Sequence, residues 1–518
     1  MSRVFVFLPI AFFHSSAQQS VLNPIELSMS QNESLNVLTY AVRGKVILKY
    51  TAQLTLIQAI LVTIPVLVSL RYGEYTTGLH FLVISAALAA LSLPWVRLST
   101  PIDIQTNEAM SIAAISFLIG AGAMVYPFMA GGIPFVDSVF EAVSGITTTG
   151  LSTLNSVEDK SMTFLFARAW MQWYGGLGIV VLSLALLMGH PAVFRRLIEP
   201  ASLEANLATG MRTYARHAVI IYVTFTLIIA TALWIAGLDI FTALLHALSS
   251  ISTGGFSSFD NSLSGFDIPL AKAIIIFGGL LGAVSLPLFY RIYSRGLREI
   301  VIDAETMGLL RTTFLICLLL ALLMFASGRL TGLEGLADAL LLGISAQTTT
   351  GFSNIDVSQL EPASKTVLIA SMSIGGEVGS TAGGIKILRL LILLRLLQFV
   401  IRRTALPRHA FLEPRLKDRR IDDSEIIAVI SLLIGFGAVV LLSWIPFLIL
   451  GYDPLNALFD IVSATSTTGL SAGVTQMDLP ALLKGVLCFD MLAGRLEVIA
   501  LLVLLYPRTW FGTRASSL

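Results

Sequence analysis

Apolar and polar positions along this chain fall into runs of two lengths. Ten long apolar stretches cover roughly 46–70, 79–98, 110–130, 163–189, 218–237, 269–290, 309–327, 364–400, 426–450 and 480–506. Each is long enough to cross a bilayer as a helix, for which about 20 residues suffice; the eighth is interrupted. Four shorter apolar stretches, 135–146, 240–251, 337–347 and 454–465, are too short to cross and predict re-entrant half-helices. Each leads into a polar hinge: TTTGLS (Thr147–Ser152), STGGFS (Ser252–Ser257), TTTGFS (Thr348–Ser353) and STTGLS (Ser466–Ser471). Aligned on Gly150, Gly255, Gly351 and Gly469, the hinges recur at spacings of 105, 96 and 118 residues. A second landmark keeps step with them, the small pairs Gly175-Gly176, Gly278-Gly279, Gly375-Gly376 and Ala493-Gly494. Two features in register through four units indicate a fourfold internal repeat.

Non-helical backbone at membrane depth is tolerated only where protein buries it or where it lines a watery cavity. Glycine opens backbone angles closed to other residues, so successive carbonyls can point the same way. Four such hinges around an axis would stack rings of carbonyl oxygens that replace the water shell of a cation. The candidate ion ligands are therefore Thr148, Thr149 and Gly150; Thr253, Gly254 and Gly255; Thr349, Thr350 and Gly351; and Thr467, Thr468 and Gly469. One such hinge alone reads equally well as a turn between helices; four in register do not.

Composition agrees with the membrane. Of 518 residues, 55% are hydrophobic and 13% charged, with a mean hydropathy of +0.84, which excludes an ordinary soluble core. The net charge of +1 gives no attraction to nucleic acid. Cys317 and Cys488 both sit in apolar runs and imply neither a disulfide framework nor a metal cluster.

The distribution of charge sets the orientation. With a cytoplasmic N-terminus, most of the 33 Lys and Arg residues fall on inner segments. Among them are Arg43, Lys45 and Lys49, then Arg195, Arg196, Arg212 and Arg216, then Arg291, Arg295, Arg298 and Arg311, and a dense run from Arg389 to Arg420. Outer segments carry Asp137, Glu141, Glu158, Asp159, Asp239, Asp260, Asp267, Asp356 and Asp478. The positive-inside rule then puts all four hinges towards the outer face. Residues 4–13 look like a signal h-region, but cleavage there would invert this pattern; they are expected to stay on the cytoplasmic side, leaving the sequon Asn32-Glu33-Ser34 without consequence. In each unit the half-helix points its partly negative C-terminal end at the axis, which favours a cation. Asp239 and Asp338, near half-helix N-termini, are expected to cap them.

The four hinges, WYGGLGIVVLSLAL (Trp173–Leu186), GGEVGSTAGGIK (Gly375–Lys386) and GRLEVIALLVLLYP (Gly494–Pro507) resemble the Trk/Ktr/HKT superfamily of potassium transporters over about residues 46–512. The two helices ahead of the first unit are similar to the TrkH type. The resemblance implies an all-α integral membrane fold, with four pseudo-fourfold helix–pore-loop–helix repeats around one pore and two extra N-terminal transmembrane helices. The expected divisions are a cytoplasmic segment 1–45, a two-helix hairpin 46–109, and pore repeats 110–190, 191–300, 301–420 and 421–518. It also implies potassium uptake across the bacterial inner membrane, a homodimer with one pore per protomer, and a cytosolic TrkA-like partner that gates the pore. In this superfamily a first-filter serine marks sodium-selective relatives; Gly150 stands there, so potassium is expected. A sodium-permeable or H+- or Na+-coupled symporter of the same fold is the alternative. Gly254 replaces the threonine of the other hinges, and the loss of its hydroxyl is expected to loosen that quadrant.

Five glycines with Ser380 and Thr381 break the third inner helix, since each glycine costs roughly 1 kcal/mol against alanine. Gly375, Gly376, Glu377, Gly379, Ser380, Thr381, Gly383, Gly384 and Lys386 form a candidate gate under the filter, with Arg495 facing the axis and tied either to the carboxylates of Glu377 and Asp490 or to carbonyls of the loop. Glu377 departs from the small residues expected there. The segment is no phosphate-binding loop, because no Ser or Thr follows Lys386 and no strand precedes it. With no Rossmann fingerprint either, no cofactor is expected in this chain, and NAD or ATP would bind only to the partner. Asp490 either stabilises a cation in the cavity or neutralises a base. Arg168 and Lys272 are expected to snorkel to the interface, and His246 to be a hydrogen-bonded packing residue. Arg402, Arg403, Arg408, Arg415, Lys417, Arg419 and Arg420 would touch anionic lipid or dock the partner. An intramembrane enzyme built on Ser144, His246 and Asp460 would leave the fourfold register unexplained.

Overall fold

A computed structural model describes residues 41–101, 104–187, 207–329, 332–405, 407, 413–416 and 419–511. The apolar run 4–13, the sequon, Arg195, Arg196, Arg408 and Lys417 lie outside the described residues. The chain divides into a large unit, Val42–Leu505, and a second unit whose described helix is Pro507–Phe511.

The large unit opens on α1 (Gly44–Val62) and α2 (Ile64–Tyr72), which together make one span, and α3 (Tyr75–Val96). α1 packs along α3 and against α4 (Thr106–Ala130), the outer helix of the first repeat. The first half-helix, α5 (Phe135–Ile146), and inner helix, α6 (Met162–Leu187), complete that repeat. The second has α7 (Leu207–Ile235), α8 (Ile240–Ile251), α9 (Pro269–Ala283) and α10 (Leu286–Arg295). The short α11 (Arg298–Ile302) leads to the third: α12 (Ala304–Ala326), α13 (Gly332–Gln347), α14 (Pro362–Ile374) and α15 (Ile387–Thr404). The fourth comprises α16 (Asp423–Ile449), α17 (Pro454–Thr465), α18 (Ala481–Arg495) and α19 (Ile499–Leu505). A two-residue antiparallel ladder, Arg415–Leu416 with Arg419–Arg420, interrupts the otherwise helical architecture.

Among the described residues, six helices are long and apolar enough to cross a bilayer: α1 with α2, then α3, α4, residues 215–235 of α7, α12 and α16. Inner helices depart from the straight spans expected over 269–290 and 480–506. α9 and α10 meet at 89°, because Val284 and Ser285 are extended and Pro287 starts a new helix. α18 stops at Arg495, where Glu497 and Val498 take positive φ of 54° and 58°. The third half-helix begins earlier than its apolar stretch, at Gly332.

Each half-helix leans on the inner helix of the preceding repeat: α8 on α6, α13 on α9, α17 on α14, and α5 on α18. The last contact closes the ring. Small residues permit a second close crossing, of the half-helix with the inner helix of its own repeat. A side chain at Gly175, Gly282 or Gly494 would run into the final carbonyls of α5, α8 and α17, at Ile146, Ile251 and Thr465. In the second repeat the closest glycine is thus Gly282, one turn beyond the Gly278-Gly279 pair.

Asp239 caps α8, accepting from the N–H groups of Phe241 and Thr242 at 3.0 Å each. Burial raises its carboxyl pKa, but the hydrogen bonds from Thr242 and Phe241 outweigh it and hold the value below the ordinary one. Asp239→Ala should cost about 1 kcal/mol in unfolding of the detergent-solubilised protein. A depressed carboxyl stabilises above its unfolded pKa and loses that contribution as pH falls through the folded one. The difference between the two proteins should therefore persist at neutral pH and shrink only below the ordinary carboxylate range; a difference that grows in acid would contradict the cap.

Candidate functional site

The four hinges fold alike, residue for residue. In each, the half-helix ends with the same three backbone bonds, as in Thr147 N–H to Val143, Thr148 N–H to Gly145 and Thr149 N–H to Ser144. The next residue type is then forced left-handed: φ is 55° at Thr148, 50° at Thr253, 51° at Thr349 and 50° at Thr467. Two residues later Gly150, Gly255, Gly351 and Gly469 take φ of 88°, 77°, 82° and 96°. A left-handed residue carrying a β-branched side chain is strained by about 1–3 kcal/mol, so the surrounding packing imposes this shape.

The hinges also meet one another in cyclic order. A Cβ on Gly150 would strike the carbonyl of Gly254, one on Gly255 that of Thr350, one on Gly351 that of Thr468, and one on Gly469 that of Thr149. All four glycines line one open mouth of about 370 Å³, shared with Ser152, Ser257, Ser353 and Ser471. Eight of the twelve predicted hinge residues, the four glycines with Thr149, Gly254, Thr350 and Thr468, thus meet in one ring.

Behind three of the hinges stand polar struts that the linear sequence does not announce. Nine residues before each hinge glycine lie Glu141, His246, Leu342 and Asp460. Ser152 donates to Glu141, Ser471 to Asp460 at 2.8 Å, and His246 Nε2 meets Ser257 Oγ at 3.2 Å while Nδ1 donates to the Thr242 carbonyl at 2.8 Å. His246 is the hydrogen-bonded packing residue expected of it. Arg168 does not snorkel: it is buried, bonds Glu141 at 2.9 Å and lies 3.8 Å over the Phe256 ring of the next hinge. Lys484 of α18 bonds Asp137 of α5 at 2.6 Å, and Lys365 of α14 bonds Asn456 of α17 at 2.7 Å. These are the same contact at two repeat boundaries.

Three hinges carry an internal hydroxyl pair: Thr147 with Thr149, Thr348 with Thr350, and Ser466 with Thr468, at 2.7–2.8 Å. Gly254 removes that pair from the second hinge, yet the quadrant is not left loose. Gln172 of α6 fills the space, donating to the Gly254 carbonyl at 2.5 Å and accepting from Ser249 at 2.8 Å and from the Phe256 N–H at 3.2 Å. Its amide orientation follows from that backbone donor. Gln172→Leu keeps the volume but strands three buried groups. It should destabilise the protein by about 2 kcal/mol or more in an unfolding titration; an unchanged midpoint would show that Gln172 merely fills space.

The 375–386 loop sits directly against the hinges. Thr381 Oγ1 donates to the Ile251 and Gly282 carbonyls at 3.0 and 2.9 Å and meets Thr253 Oγ1 at 3.3 Å. Gly383 N–H donates to Thr349 Oγ1 at 2.7 Å, and Gly384 N–H to the Ser466 carbonyl at 3.1 Å. The hydroxyls of Thr148 and Thr467 are buried and unpartnered. Arg495, only 2% exposed, donates from Nη1 to the Thr381 carbonyl at 2.8 Å and from Nη2 to the Gly175 carbonyl at 3.3 Å. Of the two kinds of partner the sequence left open, Arg495 takes carbonyls. Asp490 accepts from Ser443 at 2.6 Å, and its other oxygen is buried without a hydrogen-bond partner. Lys386 donates to the Ala382 carbonyl, and Glu497 pairs with Arg389.

Three comparisons bear on this arrangement. The TrkH family model, described as a cation transport protein, matches residues 79–333 and 333–509. The chain is 30% identical over 477 residues to the Trk system potassium uptake protein TrkI of Halomonas elongata, covering 90% of this chain and 96% of that protein. It is 29% identical over 462 residues to the Trk system potassium uptake protein TrkH of Escherichia coli, covering 86% and 95%. The crystal structure of the potassium transporter TrkH from Vibrio parahaemolyticus superposes with a TM-score of 0.81 at 25% identity, covering 90% of this chain and 99% of that one.

Proposed function

Because the chain belongs to the TrkH family of cation transport proteins, and is a multi-pass membrane protein, we propose that it takes up potassium through the axis where its four hinges meet. The observation that carries this is the cyclic contact of Gly150, Gly255, Gly351 and Gly469 around one mouth. Four backbones approaching so closely leave room on the axis for a bare ion whose hydration is replaced by protein oxygen. The unpartnered hydroxyls of Thr148 and Thr467 are suited to the inner end of that path. Relatives named as potassium uptake proteins support potassium as the ion. The struts at Glu141, His246 and Asp460 hold the hinges at the width the strained threonines require.

The 375–386 loop is the gate in this reading, because it occupies the inner side of two hinge threonines and is held there by Arg495. A cytosolic nucleotide-binding partner of TrkA type, responding to NAD or ATP, would act on this loop, and each protomer of a homodimer in the bacterial inner membrane would carry its own pore. The exposed Arg402, Arg403, Arg415 and Arg420 are a docking face for that partner or for anionic lipid. Neutralising them while preserving topology should weaken partner pull-down; undiminished binding assigns them to lipid.

Potassium flux into proteoliposomes, with potassium, sodium and proton gradients imposed separately, tests the reading. Flux driven by the potassium gradient alone supports the pore. Flux that requires a second gradient would establish the coupled symporter instead.

A further inference from the structure

The second hinge differs from the other three in what holds its backbone. The carbonyls of Thr149, Gly254, Thr350 and Thr468 occupy the same place in their hinges. Each lies where a Cβ on the glycine of the preceding hinge in the ring would fall. Among the described residues, no hydrogen bond reaches the carbonyl of Thr149, Thr350 or Thr468. The Gly254 carbonyl accepts one, from Gln172 Nε2 at 2.5 Å. Gln172 is fully buried on α6, three residues before Gly175. Its Oε1 is engaged by Ser249 Oγ and the Phe256 N–H, so the amide is fixed on one side and its donor is aimed at one oxygen. The place is also exclusive. A Cβ on Gly254 would lie 2.4 Å from both Cδ and Oε1 of Gln172. Where the other hinges carry a threonine that pairs within the hinge, this one takes a side chain from the previous repeat.

A ring of oxygens separates potassium from sodium by its width, or by the number and strength of the oxygens that close on the ion. Under either description, an oxygen free to move inwards serves the smaller ion, and one tethered from behind does not. We propose that Gln172 is a specificity-determining residue, which pins the Gly254 carbonyl and keeps the ring from contracting around sodium. The proposal rests on the carbonyl ring described under the function above. Gln172 acts through the carbonyl and does not touch the ion, so it is a positioning residue. Its space-filling role can be separated from this one. Ser252 stands in the second hinge where Ser466 stands in the fourth, and Ser466 pairs with Thr468 at 2.7 Å. Gly254→Thr together with Gln172→Ala therefore rebuilds the pairing of the other hinges while leaving the carbonyl at that position untethered.

The test uses the purified full chain, with potassium and sodium uptake measured in competition in proteoliposomes and thermal unfolding followed in detergent. Gln172→Met keeps the length of the side chain and loses the donor. It should lower potassium-over-sodium discrimination by about fivefold, the scale set by one lost hydrogen bond. The double variant, Gln172→Ala with Gly254→Thr, should regain stability relative to Gln172→Ala alone. Its discrimination should nevertheless stay as low as that of Gln172→Met. If Gln172→Met does not fold, the double variant carries the comparison. Selectivity that returns together with stability in the double variant would overturn the proposal, as would wild-type selectivity in a folded Gln172→Met protein. Gly351→Ser tells this failure from that of the ring. If Gly351→Ser also keeps its selectivity, the ring is wrong; if it loses selectivity while Gln172→Met does not, only the tether is.

Discussion

Arg495→Ala should raise potassium flux, most of all without the regulatory partner. Arg495 ends α18, and its guanidinium joins the Thr381 carbonyl of the loop to the Gly175 carbonyl of the first inner helix. In the proposed gate it would hold the obstruction and also place a permanent positive charge beside the ion path. At an effective dielectric near 20, a unit charge about 8 Å away raises a passing cation's energy by about 2 kcal/mol. Removing it should speed flux by roughly thirtyfold. Arg495→Lys keeps the charge but loses the two-pronged contact, so it should fall between. Shortening the loop should also raise flux, and the two changes together should give less than their sum on a logarithmic scale, because they act on one gate. Additive effects, or a folded Arg495→Ala protein that conducts no faster, would return Arg495 to a packing role.

Gly351→Ser should abolish most of the discrimination between potassium and sodium. Gly351 has a φ of 82°, and a Cβ there would strike the Thr468 carbonyl of the next hinge. The serine must therefore displace one wall of the ring in addition to accepting a strained backbone. Since each glycine touches the hinge after it, the disturbance passes to a neighbour, and equivalent changes at Gly150, Gly255 and Gly469 should act in the same direction. Gly437→Ser is the matched control: it lies in the outer helix α16, and a Cβ there meets nothing within 4 Å. Relative permeability measured from reversal potentials or competing flux decides the matter. Unchanged selectivity in a well-expressed Gly351→Ser protein would refute the ring.

The sequence made the repeat legible because its signals are local. A hinge such as Thr348–Ser353 and the half-helix before it occupy one window, and their recurrence needs no knowledge of what lies alongside. The breaks in the inner helices were not legible in the same way. Residues 269–290 read as one apolar span, because hydropathy averages over Val284 and Ser285 and cannot register a bend of 89°. Arg168 looked like an interfacial cation because its partner, Glu141, lies 27 residues earlier on a different helix. The compensation for Gly254 was invisible for a similar reason. Gln172 sits 82 positions away on the previous repeat, and the hinge alone shows only the missing hydroxyl. For Arg495 the sequence left carboxylates and loop carbonyls both open, because the Thr381 carbonyl it meets lies 114 residues away and nothing local to Arg495 selects it.

The closure of the ring by α5 against α18 also governs the order in which the protein can be made. Asp137 meets Lys484 across a separation of 347 residues, so during synthesis the first half-helix emerges long before its cationic partner exists. Until then the Asp137 carboxylate has the Thr153 hydroxyl of its own repeat, which donates to it at 2.6 Å, but no cation. The seam between the first and fourth repeats can therefore close only after the fourth repeat has been made. Contacts of such long range are slow to form, and they place completion of the pore at the end of assembly.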